Sequence, residues 1–258
     1  MMPRRAMLAL AATAAATAAA TAAGLGAPAV RAQDDAGWQE APTVAPVGSE
    51  DRLYGKPDAR FSLIVWLDPE CPYCKVLGEK PEHVVDQSKG QVNLVVRLYP
   101  LPFHGPNALV AATTALCVAE QAGPAGYYRF LNGWMARTGS NGKGLMAPDQ
   151  GGNDPVAALA ATAGARDSNA LAGCSTSDKT GKRLAAEMKG AEVAGIEGTP
   201  AIALRDNRVG HAIMVSGAIE EVDMRNAIRV LGEFDDNPNG TDANGTGPHG
   251  SGSGGATH

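Results

Sequence analysis

The sequence has no run of basic residues, no internal repeat and few histidines. Its 258 residues carry a formal net charge of −5 at pH 7. A net negative chain without a Lys/Arg cluster is a poor binder of nucleic acid and of anionic membrane surfaces. We therefore predict no nucleic-acid partner.

A second close pair of metal ligands is also missing. Structural zinc sites take four Cys or His ligands, which sequences usually supply as two close pairs. This chain has one close pair, Cys71 and Cys74, while Cys117 and Cys174 stand apart and the five histidines are scattered. We therefore predict no metal site. Copper(I) needs only two thiolates, so copper handling by the close pair remains an alternative.

The first 32 residues have the composition of an export signal. Arg4 and Arg5 supply the positive start, no charge follows from 6 to 30, and small residues precede a cleavage site after residue 32. The segment is mostly Ala and Thr, which favours cleavage over a retained membrane anchor. Cleavage removes three arginines and no acid, so the mature charge becomes −5 − 3 = −8. We expect a periplasmic or secreted protein.

Composition also divides the remainder of the chain. Residues 235–258 consist largely of Gly, Asn, Ser, Thr and Pro, and such a stretch buries too little surface to offset its ordering entropy. We predict a disordered tail there and a flexible segment over 33–51. The remaining residues, 52–234, suit one domain with a sizeable core.

The domain begins with a strand–helix–strand pattern. Residues 61–67 and 92–98 are short apolar runs rich in strand-forming residues, as expected of strands covered on both faces. A helical pattern runs between them from 74 to about 88. Such a unit predicts parallel pairing with a right-handed crossover.

The second half of the domain is mainly helical and returns to strands only at its end. A block over about 107–194 is rich in Ala, Leu, Met and Lys. Further on, 201–204 and 209–215 predict an antiparallel hairpin, followed by a helix near 219–231. The fold class is therefore α/β, a mixed sheet in βαβ…ββα order with a helical insert between its halves. The helices predicted in the insert span 107–121, 125–137, 154–163 and 176–194.

The motif Cys71-Pro72-Tyr73-Cys74 directly follows the first strand. Two cysteines at this spacing fit the first turn of a helix and can form a small disulfide ring. The free N–H groups and the helix dipole there favour a thiolate on the first sulfur. Because thiolates attack disulfides, the motif predicts dithiol–disulfide exchange, with Cys71 as an exposed nucleophile and Cys74 as the more buried resolving cysteine.

Together with that motif, a downstream Gly-Thr-Pro before a strand identifies a family resemblance. The chain resembles the thioredoxin-fold disulfide oxidoreductases of the DsbA type. The resemblance implies that Pro200 is preceded by a cis peptide bond and faces the cysteine pair, and that Thr199 pairs with an extended substrate segment. The matching segments are 53–60, 66–75, 99–104 and 195–201.

The resemblance also implies an activity. The Pro72-Tyr73 dipeptide is shared with DsbG and the glutaredoxins, so we expect a Cys71 pKa lowered less than in the strongest oxidases. Expected partners are exported proteins with thiols or disulfides and a membrane redox partner. No cofactor is expected, and the short segment before the core favours a monomer over a dimeric isomerase. Oxidase activity is predicted; the alternatives are a DsbG-type reductase or isomerase and a non-redox scaffold or copper-binding protein.

Five further residues receive roles with alternatives. Cys117 and Cys174, which have counterparts in many members of the family, are predicted to form a structural disulfide between two insert helices, the alternative being two buried free thiols. Asp68 is a candidate for moving the Cys74 proton if it is buried at the strand end. Glu70 and His104 are predicted to be solvated loop residues.

Overall fold

The computed structural model describes residues 37–145 and 154–237 of the chain. Six strands in this part form one mixed sheet with the order β1-β6-β5-β3-β4-β2. The strands are β1 (Gln39–Glu40), β2 (Leu53–Gly55), β3 (Phe61–Leu67), β4 (Val92–Leu98), β5 (Ala201–Asp206) and β6 (Ala212–Ser216).

Seven α-helices accompany the sheet in the described residues. A 3₁₀ turn at Pro102–His104 precedes the longest of them. The helices are α1 (Pro72–Leu77), α2 (Lys80–Gln87), α3 (Gly105–Arg137), α4 (Pro155–Ala163), α5 (Ser168–Ser175), α6 (Asp178–Val193) and α7 (Glu221–Asp236).

The pairing of the central strands agrees with the sequence patterns. Strand β3 pairs in parallel with β4 and antiparallel with β5, and β5 pairs antiparallel with β6. The parallel unit and the hairpin are therefore confirmed. Every residue of β3 is buried, because apolar elements cover the sheet on both faces.

Two apolar clusters lie on opposite faces of the sheet. One face carries Leu63 and Val65 of β3, which belong to the larger cluster with residues of α1, α2, α3 and α7. The other carries Ile64 and Trp66, which belong to a smaller cluster with the C-terminal end of α6 and with the segment before β2. Alternation along β3 thus assigns successive side chains to two different layers.

The predicted helical insert is confirmed, although its internal divisions differ. Helix α3 is kinked at Gly123, which has a φ of 65° and is followed by Pro124. The helices predicted over 107–121 and 125–137 therefore form one helix with a kink. The short helix α5 was not predicted. Its N-terminus is capped by Asp167, whose carboxylate accepts a hydrogen bond from the N–H of Ala170.

The structure corrects both predicted flexible ends. Within 33–51, strand β1 pairs with β6, and Ala41 and Val44 are buried against the sheet. A few apolar residues and one backbone ladder order this segment despite its polar composition. Helix α7 extends to Asp236, so the first residues of 235–258 are helical. The other calls on this tail and on the export signal, 1–32, lie outside the described residues.

No helix in the described ranges combines the length and the apolar character needed to cross a membrane.

Candidate active site

The first turn of α1 presents both cysteines of the motif. Cys71 is the N-cap residue of this helix in an extended conformation, and Pro72 occupies the first turn, where its missing N–H costs nothing. Cys74 lies one turn further in and is fully buried. The helix ends at Gly78, whose φ is 54°. The two cysteines are free thiols.

The loop before β5 approaches the first cysteine. The Thr199–Pro200 peptide bond is cis, and the Cys71 thiol donates a hydrogen bond to the carbonyl oxygen of Thr199 over 3.1 Å. This contact follows from the topology, since β5 pairs with β3, the strand that leads into the cysteine motif. The fold therefore brings Cys71, Cys74, Thr199 and Pro200 together.

The two sulfurs differ in acidity. A hydrogen bond from the Cys74 thiol is the largest contribution to the Cys71 pKa, and with bonds from Thr199 and two backbone N–H groups it outweighs burial and lowers that pKa to about 6. Burial, reinforced by the neighbouring Cys71, raises the pKa of Cys74 well above its ordinary value. The site therefore holds a thiolate at Cys71 and a proton at Cys74 at neutral pH.

Thr199 has a hydroxyl group available to this thiolate. While Cys71 carries its proton, the buried Oγ1 atom of Thr199 has no hydrogen-bond partner among the described residues. When Cys71 loses its proton it can no longer donate to the Thr199 carbonyl, and the adjacent hydroxyl supplies a donor instead. Such a bond favours the charged form of the sulfur.

Cys71 itself is less accessible than the sequence suggests. The residue is 3% exposed, whereas the neighbouring Tyr73 is 67% exposed. The prediction of an exposed nucleophile is therefore wrong for the dithiol form, because the Thr199 loop packs against the sulfur. Phe103 is also strongly exposed, at 76%.

Asp68 directly follows β3 and is fully buried, and its backbone carbonyl accepts a hydrogen bond from the N–H of Cys71. Its carboxylate accepts hydrogen bonds from the N–H groups of Glu70 and Leu101, each over 2.7 Å, and lies 2.6 Å from Nδ1 of His104. The prediction that His104 is a solvated loop residue is therefore wrong, since this contact holds the ring inside. A role for Asp68 in moving the Cys74 proton stays a prediction.

Glu70, the residue before Cys71, is also fully buried, so the prediction that it is a solvated loop residue is wrong. Its carboxylate accepts hydrogen bonds from the Trp134 indole over 2.7 Å, from the Thr138 hydroxyl over 2.6 Å and from the N–H of Gly144 over 3.1 Å. These three donors satisfy the buried carboxyl oxygens of Glu70. Through these hydrogen bonds Glu70 links the turn that contains Cys71 and Cys74 to the end of α3 and to the loop that follows this helix.

We expect Glu70→Ala to lower the free energy of unfolding by about 3 kcal/mol, because three buried donors lose their acceptor. Urea denaturation followed by circular dichroism measures the change. Glu79→Ala removes an exposed carboxylate nearby and serves as the matched control. An equal effect of the two substitutions would contradict the structural role of Glu70.

The remaining two cysteines form a disulfide between two helices of the insert. Cys117 of α3 and Cys174 of α5 are bonded, with their Cα atoms 5.8 Å apart. Among residues 37–145 and 154–237, no group of three or more His, Cys, Asp or Glu side chains is placed to hold a metal ion.

The family to which this cysteine site belongs is shown by a family model. A family model described as thioredoxin matches residues 48–224, well over half of the chain. The chain belongs to the thioredoxin family.

Solved structures place this thioredoxin-family chain more closely. DsbA2 of Pseudomonas aeruginosa is 28% identical, with a TM-score of 0.60; the match covers 72% of this chain and 97% of that one. BdbD of Bacillus subtilis is 18% identical at a TM-score of 0.57, covering 74% and 98%. A periplasmic thioredoxin-like protein from Salmonella enterica is 22% identical with a TM-score of 0.54; the match covers 70% of this chain and 89% of that one. The last two show the fold alone.

The family match and the likeness to DsbA2 confirm the resemblance read from the sequence. This thioredoxin-family chain is of the DsbA type, the thiol:disulfide oxidoreductases in which a helical insert interrupts the thioredoxin fold. No curated protein sequence matches the chain.

The depressed pKa of Cys71 makes its reactivity depend on pH. We expect the rate of iodoacetamide alkylation of the dithiol form to rise through a midpoint near pH 6, the pKa of Cys71 being about 6. Absorbance of the thiolate at 240 nm should follow the same curve. In Cys74→Ala the midpoint should move upward, because the thiol that contributes most to the low pKa is gone. An unchanged midpoint would contradict this assignment.

The same shift affects folding. Because the folded pKa of Cys71 lies below its unfolded value, the thiolate stabilises the folded dithiol form at high pH. This contribution is complete above the unfolded value of 9.0 and is lost as pH falls through about 6.

Proposed function

We propose that this DsbA-type protein is an exported thiol:disulfide oxidoreductase that works mainly as an oxidase. It would pass the Cys71–Cys74 disulfide to thiols of other exported proteins. The observation that carries the proposal is the position of Cys71 at the start of α1, with its sulfur 3.1 Å from the carbonyl oxygen of Thr199. The lowered pKa of Cys71, about 6, agrees with this geometry. Stabilising the thiolate stabilises the reduced protein, and a stable reduced form makes the disulfide a stronger oxidant.

The proposed reaction starts from the oxidised pair. A substrate thiolate attacks the sulfur of Cys71, forming a mixed disulfide and releasing Cys74, which takes up a proton. A second substrate thiolate then attacks the substrate sulfur of the mixed disulfide. Cys71 leaves as a thiolate, and its low pKa makes it a good leaving group. Two electrons pass from two substrate thiols to the enzyme disulfide, so no further cofactor is proposed.

Thr199 and Pro200 would position the substrate in this scheme. The backbone of Thr199 lies beside the reactive sulfur, where it can pair with an extended segment as an added strand. The exposed ring of Tyr73 offers apolar surface next to the same atom.

The setting of the proposed reaction follows from the sequence and the resemblance. Residues 1–32 support export and cleavage, and therefore a periplasmic or secreted protein. A membrane partner would return the pair to the disulfide after each cycle. We propose a monomer for the active form.

The equilibrium reduction potential of the Cys71–Cys74 pair tests the direction of exchange. We expect a glutathione titration to give a value at or above about −180 mV, the range of disulfide donors. Mass spectrometry of each sample should show Cys117 and Cys174 still bonded, so that only one pair titrates. A value near that of thioredoxin, about −270 mV, would replace the oxidase assignment with a reductase.

A further inference from the structure

A row of polar side chains crosses the sheet at the end opposite the cysteines. Ser62 of β3 lies directly beside Asn93 of β4 and Arg205 of β5 in the strand register. Cross-strand neighbours point to the same face of a sheet. The three side chains therefore share one face, the face whose other positions on β3 are the apolar Ile64 and Trp66.

The polar row is held in a fixed arrangement. Ser62 is fully buried and Asn93 is 2% exposed. The Ser62 hydroxyl donates to the Asn93 side-chain oxygen over 2.6 Å and accepts from the Asn207 amide over 2.8 Å, while the Asn93 amide donates to the carbonyl of Lys56 over 2.9 Å. Two polar residues on central strands, where packing calls for apolar ones, form a preorganised polar floor.

An open cleft of about 700 Å³ lies over this floor. It exists because the small apolar cluster of α6 and the segment before β2 covers Ile64 and Trp66 but does not include the polar row. Charged side chains line it unevenly, with five cations against one carboxylate. The cations are Lys56, Arg60, Lys89, Arg205 and Arg208, and the carboxylate is Asp58.

Three of these cations are not neutralised. Arg60 and Arg208 are bonded to Asp206 and Asp236. In contrast, the other three, Lys56, Lys89 and Arg205, form no ion pair with any residue that the structure describes.

Asp58 offsets one of the three at most, so a net positive cleft stands on a chain whose formal charge is −5. Convergent cations that lack carboxylate partners suit an oxyanion.

We propose that this cleft binds a small anion bearing carboxylate or phosphate oxygens. Lys56 and Lys89 would neutralise its charge at the rim, and Arg205 would contact it from the sheet. Five residues of strand separate Ser62 from the end of β3, roughly 17 Å at about 3.3 Å per residue, so this site is distinct from the dithiol. The proposal stands whether or not the oxidase assignment does.

Isothermal titration calorimetry at low ionic strength tests the site, with inorganic phosphate and with citrate as separate probes. The double variant Lys56→Gln/Lys89→Gln should bind at least about tenfold more weakly than the unaltered chain. The matched control Lys179→Gln/Lys189→Gln removes the same charge from the surface of α6 and should bind normally. Cys71→Ser should also bind normally, which separates this site from the redox centre. Circular dichroism verifies that each variant is folded.

Binding of phosphate alone would assign a phosphate ligand, and binding of citrate alone a carboxylate ligand; both support the proposal. The proposal is overturned if neither phosphate nor citrate binds. An equal loss in the two lysine double variants also overturns it, since it would show attraction by overall charge only. So does unchanged binding after Lys56 and Lys89 are replaced.

Discussion

Cys71→Ala will reduce disulfide exchange to the uncatalysed rate, whereas Cys74→Ala will retain attack and accumulate mixed disulfides. Cys71 carries the low pKa of the pair, and no other sulfur of the described chain is a thiolate at neutral pH. Removing Cys74 leaves that nucleophile in place but removes the thiol that would release a bound partner. Attack by the reduced variants on a peptide that contains one disulfide, followed by mass spectrometry, measures the rate and the mixed disulfide. The Cys71 thiolate takes one peptide sulfur and releases the other as a thiolate.

The two substitutions control for each other, since each removes one sulfur from the same turn. Because loss of the Cys74 thiol also raises the Cys71 pKa, attack by Cys74→Ala should be restored by raising the pH. A Cys71→Ala variant that keeps its exchange rate would contradict the proposed chemistry. It would favour the alternative reading of the sequence, a scaffold or copper-binding protein.

Removing the Cys117–Cys174 disulfide will lower the free energy of unfolding by about 4 kcal/mol. The bond spans 57 residues, and in the chain-entropy model a cross-link over a longer loop removes more freedom from the unfolded chain. The cross-linked helices α3 and α5 belong to the insert, whose apolar residues join the larger core cluster. For a domain of this size the loss corresponds to a melting temperature lower by roughly 8–16 °C.

Guanidinium denaturation of Cys117→Ala/Cys174→Ala measures this effect. The control is Cys71→Ala/Cys74→Ala, which also removes two cysteines but no disulfide of the described structure. A loss of unfolding free energy below about 1 kcal/mol relative to that control would contradict a stabilising role, since the chain-entropy model gives a contribution near 4 kcal/mol.

The central strands and the cysteine turn were predictable because their signals are local. The runs over 61–67 and 92–98 become β3 and β4 with the same bounds, since a strand buried on both faces needs an uninterrupted apolar sequence. The position of Cys71 at a helix start follows from the proline after it. Strand β1 is not predictable from the sequence, because its two residues are too few to show an alternating pattern.

The surroundings of the site were not predictable for a different reason. The partners that bury Glu70 include Trp134, 64 residues further along the chain, and His104 reaches Asp68 across 36 residues. Local composition shows only charged or polar residues beside prolines, which is typical of exposed loops. Their burial depends on how α3 and the residues at its two ends pack against the end of the sheet. A single sequence does not reveal this packing.

The short outer strands of the sheet have a consequence for contacts with other polypeptide chains. Strand β1 has two residues and β2 has three, and these strands form the two edges of the sheet. An unfolded polypeptide can add to a long free edge and begin aggregation, and very short edge strands are one way in which proteins prevent this. The short edges thus disfavour pairing of another chain along the sides of the sheet, and the substrate pairing that we propose is confined to the backbone of Thr199 beside Cys71.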